Sequence, residues 1–262
     1  MKIVVLTKHV PQAIGEVSFG PDLTVDRSAV RCRLQDADEY AVEQAARIAC
    51  RRLDVQVTAL TMGPSGASAA LRTALARGAD EGVHILDDAL HGCDAPATSL
   101  VLAAACSRLG FDVVLCGTAS TDSAMSVIPA MLAERLGVPA LCRCDTLRTD
   151  EDLLHATRDD GAGVGTENLT AAMPAVVSVT DRSGEPRYPR FEAIADARQK
   201  LVRTWSLADL GIETTHVGLA AAATKVGKVT RAETPPATAT VTEDPQTAAV
   251  RIADFLTQQQ FL

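Results

Sequence analysis

Residues 112–123 place small polar residues directly after a short apolar run, a pattern typical of phosphate-binding turns. Residues 113–116 have the continuous apolar character of a buried parallel strand, and a Gly-Thr-Ala-Ser-Thr turn follows them. Asp122 or Ser123 is suited to cap a helix that begins near Asp122. The apolar residues of that helix are Met125, Met131, Leu132 and Leu136. Because free backbone N–H groups at such a turn bind anions, the segment predicts a phosphate site.

Other reactive residues do not form a pattern that indicates catalysis. No G-x-G-x-x-G fingerprint follows a strand, no phosphate-loop lysine is present, and the five histidines lack the spacing of metal ligands. On a strand, the thiols of Cys142 and Cys144 would point the same way; a redox pair is conceivable, but ordinary cysteines are favoured. No nucleophile, base and acid occur together. The sequence therefore predicts a binding protein without a metal site or a catalytic set.

Composition narrows the class of protein further. The chain of 262 residues is 47% hydrophobic but only 3% aromatic, which indicates a core of Ala, Val and Leu, as in layered α/β proteins. A net charge of −8 argues against a nucleic-acid partner. No apolar run is long enough for membrane insertion, and the first residues lack a signal-peptide pattern. Seven scattered cysteines suit a reducing compartment, so we expect a cytoplasmic protein.

The first half of the chain alternates between predicted strands and helices. The strands are expected at residues 3–7, 55–61, 83–86 and 113–116, and the helices at 38–52, 67–77 and 98–109. Repeated βα units of this length predict an α/β fold with a mostly parallel sheet and helices on both of its faces.

The second half departs from this alternation. Residues 145–154 and 169–180 are predicted strands around a Gly-rich turn, and they either extend the sheet or form a small antiparallel flap. Residues 183–189 are a predicted loop, because two prolines and a glycine interrupt regular structure. Residues 220–241 are poor in core-forming side chains and are predicted to be an extended arm. The final helix is expected at 244–258, and an arm plus a terminal helix indicates a partner subunit.

Six segments, in order, resemble the beta (small) subunit of electron transfer flavoprotein. They are residues 3–11 (IVVLTKHVP), 38–45 (DEYAVEQA), 63–64 with 71–80 (GP and LRTALARGAD), 120–122 with 129–134 (STD and PAMLAE), 173–179 (MPAVVSV), and 185–188 (EPRY). The resemblance spans nearly the whole chain and implies an adenine-nucleotide-binding, Rossmann-like fold.

The resemblance also implies a function. Such a subunit pairs with an alpha subunit that holds most of the FAD, and the heterodimer carries electrons from flavin dehydrogenases of the acyl-CoA type to an acceptor oxidoreductase. It is an electron carrier subunit and not an enzyme with its own catalytic set. We expect residues 1–205 to form the nucleotide-binding core, with a recognition loop near 183–200, and residues 206–262 to wrap around the alpha subunit.

By position, the family's structural AMP would be bound at the carboxyl edge of the sheet. The implied residues are Leu6, Gln35, Asp36, Ala37, Asp38, Met62, Gly117, Thr118, Asp122, Ser123, Ser126, Val127 and Ile128. Backbone N–H groups of Gly117, Thr118 and residues 126–128 would hold the phosphate. Many relatives have asparagine, glutamine and threonine at 126–128, so the change to Ser, Val and Ile leaves the nucleotide's identity open.

The loop around residue 188 resembles the segment through which the family docks onto dehydrogenases. The implied contact residues are Glu185, Pro186, Arg187, Tyr188 and Phe191. Phe191 occupies the position of an apolar anchor, and the alternative is a phenylalanine packed into its own domain. The basic tail of the family is thinned here to residues 196–200, and Arg158 replaces a frequent glutamate, which together indicate an unusual dehydrogenase partner or a rearrangement of the contact charges.

Two alternatives remain at this point. An electron-bifurcating flavoprotein would hold a second FAD in place of AMP, and the apolar residues at 127 and 128 are compatible with a larger site. A stand-alone nucleotide-binding regulatory protein would share the fold, but it would need neither the arm nor the terminal helix.

Overall fold

A computed structural model describes residues 1–12, 17–161, 165–230 and 244–259. The chain divides into two compact units, Met1–Gly227 and Lys228–Leu262. The strands are β1 (Lys2–Leu6), β2 (His9–Pro11), β3 (Cys32–Leu34), β4 (Gln56–Met62), β5 (Glu81–Ile85), β6 (Val113–Gly117), β7 (Ala140–Cys144), β8 (Thr146–Asp150), β9 (Leu153–Asp159), β10 (Thr166–Ala172), β11 (Ala175–Val179) and β12 (Val202–Trp205). The helices are α1 (Asp36–Arg51), α2 (Ser68–Ala76), α3 (Ala95–Leu109), α4 (Ile128–Leu136), α5 (Phe191–Ala197), α6 (Gly218–Ala221) and α7 (Pro245–Gln258).

Seven parallel strands form the main sheet, in the order β12-β5-β4-β1-β6-β11-β7. Alternate residues of a strand point to opposite faces, so Ile3 and Val5 pack with α1 and α2, whereas Val4 packs with α3 and α4. Every residue of β6 and of β11 is buried, as expected for central parallel strands covered on both sides. The predicted α/β class and the parallel sheet are confirmed.

The sequence left open whether the region after β7 extends the main sheet or forms an antiparallel flap, and the structure contains both arrangements. Strands β8, β9 and β10 form a separate three-stranded antiparallel sheet, which we call the flap. Strand β11 then returns to the main sheet and lies between β6 and β7. The apolar side chains of Leu147 and Leu154 on the flap join the core on the α1 side of the main sheet.

The first compact unit extends beyond the boundary that we expected after residue 205. Leu207 and Val217 are buried in the core on the α3 side, which is why the unit continues to Gly227. Of the predicted arm, residues 222–230 contain neither helix nor strand, and residues 231–241 lie outside the described ranges.

The second unit contains α7, whose bounds nearly match those of the helix predicted at residues 244–258. The carboxylate of Asp244 accepts hydrogen bonds from the backbone N–H groups of Gln246 (3.0 Å) and Thr247 (3.2 Å), so the helix begins with a side-chain cap. Its apolar residues Val250 and Phe255 are exposed. Across the described ranges, no helix combines the length and apolar character needed to cross a bilayer.

Candidate functional site

The carboxyl edge of the main sheet brings most of the implied nucleotide residues together. Strands β1, β4 and β6 are adjacent and parallel, so their last residues, Leu6, Met62 and Gly117, end at the same edge. The start of α1 lies against the end of β6. Leu6 is buried, and Met62 packs partly buried against the core on the α3 side, so both contribute apolar surface to this edge.

Asp38 joins three segments at this edge. Its Oδ2 accepts a hydrogen bond from Lys8 N (2.8 Å), and its Oδ1 accepts one from Gly117 N (3.2 Å). Burial raises the pKa of this carboxyl group to about 7, against the opposing effect of the two backbone hydrogen bonds. A Cβ on Gly117 would lie 2.6 Å from the carbonyl carbon of Ala37, so only glycine permits this close approach.

Gln35 fixes the loop that follows β6. Its Oε1 accepts hydrogen bonds from Thr121 N and from Thr121 Oγ1, both at 3.0 Å. We call residues 118–127 the nucleotide loop. Gln35 is buried, and its amide oxygen therefore ties the nucleotide loop to the residue before α1. Thr118 follows β6 directly, whereas Asp36 lies at the start of α1 and pairs with Arg33 at 2.5 Å.

Asp122 does not begin a helix, and this prediction was wrong. Helix α4 starts at Ile128, and Met125, which we placed in the helix body, is an exposed residue of the nucleotide loop. The carboxylate of Asp122 accepts hydrogen bonds from Lys8 Nζ (2.8 Å) and from Arg27 Nη2. Although burial opposes it, the charge of Lys8 holds the pKa of Asp122 well below its usual range. The carboxylate is thus used in ion pairs and is unavailable as a cap.

Ser123 does not cap a helix either. Its hydroxyl group lies 2.8 Å from Ser120 Oγ within the loop. Ala124 and Ser126 have positive φ angles of 50° and 56°, a left-handed backbone that interrupts a helix here.

The start of α4 offers backbone donors without a side-chain cap. Val127 occupies the N-cap position and supplies no cap hydrogen bond. Left-handed Ser126 followed by right-handed Val127 directs successive N–H groups to one side, as in anion-binding nests. Among the described residues, no acceptor is recorded for the N–H groups of Ser126, Val127 and Ile128. These donors and the positive end of the helix dipole suit a phosphate group.

Lys8, His9 and Arg27 are residues of this edge that sequence reasoning did not assign. Lys8 Nζ also donates to Ser120 Oγ (3.0 Å), and Arg27 Nη1 donates to the carbonyl oxygen of His9 (3.1 Å). Nδ1 of His9 is buried without a hydrogen-bond partner in the described part of the chain. Burial and the nearby charge of Arg27 lower the pKa of His9. Only the topology brings these residues to the loop, so their spacing in the sequence carries no signal.

The loop implied in dehydrogenase docking is held by side chains of α1 and by Arg77, which directly follows α2. We call residues 184–190 the docking loop; it contains neither helix nor strand, and α5 follows it. Arg187 contacts Glu43 with two guanidinium nitrogens, Nε to Oε2 (2.7 Å) and Nη2 to Oε1 (3.1 Å). Arg47 donates to the carbonyl oxygen of Glu185 (3.2 Å), and Arg77 to that of Arg187 (2.8 Å).

Two aromatic side chains project from this fixed loop and from the helix that follows it. Tyr188 is 88% exposed and Phe191 is 83% exposed. The alternative in which Phe191 packs into its own domain is therefore excluded. Pro186 belongs to the same irregular segment.

The pair Cys142 and Cys144 does not resemble a redox centre. Strand β7 is irregular here, because Arg143 has a φ of 62° and the pairing with β11 shifts between Val177 and Val179. Burial raises the pKa of the Cys144 thiol to about 12, so this group stays protonated and unreactive near neutral pH. Among the described residues, no group of side chains suits a metal ion.

Comparison with known proteins identifies the family. The family model named electron transfer flavoprotein domain matches residues 22–210. Electron transfer flavoprotein subunit beta of Mycobacterium leprae is 41% identical over 230 residues, 86% of each chain. The protein of the same name from Mycobacterium tuberculosis is 39% identical over 230 residues, again 86% of each chain, and that from Clostridium acetobutylicum is 30% identical over 265 residues, 100% of each chain. The chain therefore belongs to the electron transfer flavoprotein family, as a beta subunit.

Proposed function

We propose that this chain is the beta subunit of a heterodimeric electron carrier, with FAD at its interface with an alpha subunit and a structural AMP at the carboxyl edge of its own sheet. The carrier takes electrons from flavin dehydrogenases of the acyl-CoA type and delivers them to an acceptor oxidoreductase. The observation that supports the AMP site most directly is the uncapped start of α4, where the backbone donors of residues 126–128 have no acceptor within the described part of the chain. The protein works in the cytoplasm, in keeping with seven unpaired thiols.

The residues of the carboxyl edge bind and orient the nucleotide. Leu6 and Met62 offer apolar surface for the base, and the N–H groups of residues 126–128 hold the phosphate. Gln35 and Asp38 hold the loop that carries those donors. AMP contributes rigidity and no chemistry, so no acid, base or nucleophile is required of this chain.

FAD supplies the electron-transfer chemistry when it is bound, and most of its contacts come from the alpha subunit. The second compact unit of this chain reaches that subunit. The exposed apolar residues Val250 and Phe255 of α7 give it a face that a partner can cover.

The docking loop recognises the dehydrogenase. Tyr188 and Phe191 are large exposed side chains on a segment fixed by Glu43, Arg47 and Arg77, so little conformational entropy is lost when a partner binds. Glu185, Pro186 and Arg187 shape the same surface.

One observation favours a second candidate, the electron-bifurcating carrier with FAD in place of AMP. The side chains of Val127 and Ile128 provide no hydrogen-bond donor to a mononucleotide, and such a site can accept a larger ligand.

Mass spectrometry of the nucleotides released from the purified complex decides between these functions. One FAD and one AMP per complex is the expected result. Two FAD and no AMP would establish the bifurcating carrier, and a stable monomer without flavin would favour a nucleotide-binding regulatory protein.

A further inference from the structure

Two cations surround one carboxylate at the nucleotide loop. Lys8 Nζ lies 2.8 Å from Asp122 Oδ1, and Arg27 pairs with Asp122 Oδ2. We call Lys8, Arg27 and Asp122 the cation cluster. A single carboxylate compensates only one of the two positive charges, so the cluster carries an excess positive charge although the whole chain has a net charge of −8.

Neighbouring titratable groups do not cancel this excess. Burial raises the pKa of Asp38 to about 7 and so disfavours its negatively charged form. Burial and Arg27 lower the pKa of His9, which is therefore neutral. Asp36 is already paired with Arg33 at 2.5 Å.

The cations of the cluster are accessible, whereas its carboxylate is not. The side chains of Lys8 and Arg27 are 40% and 24% exposed, but that of Asp122 is only 5% exposed. An anion that approaches the loop therefore meets the positive groups and not the negative one. Lys8 Nζ also donates to Ser120 Oγ (3.0 Å) and Ser123 Oγ (3.4 Å), so the ammonium group lies directly on the nucleotide loop.

The backbone donors at the start of α4 alone do not balance a phosphate group. A phosphate monoester carries a charge of about −1.5 to −2 near neutral pH. The start of a helix such as α4 provides only about half a positive charge, and the side chains of Val127 and Ile128 add none. Lys8 and Arg27, which pair with Asp122 of the same loop, can supply the remaining compensation.

We propose that Lys8 and Arg27 bind the phosphate group of the nucleotide, and that Asp122 holds both cations in position. This inference rests on the proposed function and deepens it, because it makes the site specific for a nucleotide over a nucleoside. It also supplies positive charge at a site where the side chains of Val127 and Ile128 offer no hydrogen-bond donor.

The test compares AMP with adenosine, which lacks only the phosphate group. The chain is purified with its alpha subunit and freed of nucleotide, and both dissociation constants are measured by equilibrium dialysis. The unmodified complex is expected to bind AMP more tightly by roughly tenfold to hundredfold, the contribution of one or two charge-assisted hydrogen bonds.

The variants Lys8→Gln and Arg27→Gln are expected to lose most of that preference while their affinity for adenosine stays unchanged. The unchanged affinity for adenosine shows that the site is still folded. Lys8→Arg retains the charge and is expected to retain the preference. Lys225→Gln, which removes an exposed lysine elsewhere, is the matched control and is expected to behave as the unmodified complex.

Two results would overturn the inference, and they are distinguishable. If Lys8→Gln and Arg27→Gln keep the original preference for AMP, the cation cluster does not bind phosphate, although nucleotide binding itself stands. If the unmodified complex binds neither compound, the proposed AMP site is wrong and the inference fails with it. If Lys8→Gln does not fold, the AMP preference of Arg27→Gln decides whether the cation cluster binds phosphate. As a second measurement, the preference of the unmodified complex for AMP must weaken as the salt concentration rises.

Discussion

Asp38 is a buried carboxyl group whose two oxygen atoms accept hydrogen bonds from the backbone N–H groups of Lys8, which follows β1, and of Gly117, at the end of the neighbouring strand β6. Asp38 lies in the first turn of α1 and contacts Gly117, so it limits how the nucleotide loop can leave β6. Because the site is buried, an ionised carboxylate there loses its hydration, which costs free energy.

The buried carboxyl group of Asp38 makes the free energy of unfolding depend on pH. Burial raises the pKa of Asp38 from 3.8 to about 7 in the folded protein, so folding favours the protonated form. Its contribution to the free energy of unfolding is fully present below about pH 4 and is lost as pH rises to about 7. We expect a loss on the order of 1 kcal/mol per pH unit within that window, measured by denaturant unfolding at several pH values.

Asp38→Asn supplies the control for this prediction, because it cannot titrate. The difference in the free energy of unfolding between the unmodified chain and this variant should change between pH 4 and 7 and remain constant above about pH 8. A difference independent of pH across the whole range would show that Asp38 titrates as an ordinary exposed carboxyl group.

At the nucleotide loop, the sequence predicted the strand but not the ion pairs of individual residues. The apolar run at 113–116 identified β6 because a buried parallel strand requires it, and the structure brings Gly117 and Asp38 into contact at one edge. The helix cap at Asp122 was wrong, because local capping preference competes with ion pairs to Lys8 and Arg27, which lie about a hundred residues away in the sequence. No pattern in a single sequence reports such a distant pair.

Helix α1 is the element that fixes the docking loop, and Glu43 is its principal contact. The Glu43 side chain is only 5% exposed and pairs with both Arg47 and Arg187. Gln44 adds a hydrogen bond from Nε2 to the carbonyl oxygen of Ser183 (2.6 Å). The sequence showed the loop through its prolines, but only the structure shows that α1 holds it.

At this scale we predict that Glu43→Gln impairs the encounter with the dehydrogenase. The substitution weakens two charge-assisted contacts to Arg187, so the docking loop becomes less ordered and the KM of the dehydrogenase for the carrier rises by about threefold to tenfold. Steady-state kinetics measure the KM, and the FAD content of the complex should stay the same.

Glu134→Gln, at an exposed position of α4, is the matched control and should leave the KM unchanged. Phe191→Ser removes the exposed ring itself and should raise the KM at least as much as Glu43→Gln. An unaltered KM in both Glu43→Gln and Phe191→Ser would place dehydrogenase recognition elsewhere on the molecule.

At the scale of the whole molecule, the division into two units predicts which part binds the alpha subunit. A chain that ends at Gly227 keeps the complete first unit, including Leu207 and Val217. We expect it to fold with a near-native thermal unfolding temperature, yet not to co-purify with the alpha subunit.

A substitution in the full-length chain tests the role of α7 without shortening the chain. Phe255→Ser should weaken the complex by roughly tenfold or more, since a buried aromatic side chain contributes about 2 kcal/mol, whereas Gln246→Ser should have little effect. If the chain that ends at Gly227 co-purifies with a stoichiometric amount of alpha subunit, the second unit is not what binds that subunit.

The α/β class and the parallel sheet were predictable from the alternation of strands and helices. Apolar runs of strand length report burial, so the α/β class followed from them. Leu207 and Val217 lie beyond the expected boundary after residue 205, and only their contacts show that they belong to the core on the α3 side.

The position of β11 constrains how this protein is made. Strands β6 and β7 occupy the two sides of β11 in the sheet, yet both precede it in the chain. During synthesis on the ribosome they therefore emerge with unpaired edges, and they remain so until residues 175–179 follow the flap out of the exit tunnel. A nascent chain that stalls within the flap exposes two unpaired strand edges to other chains, so we expect it to be prone to aggregation until β11 completes the sheet.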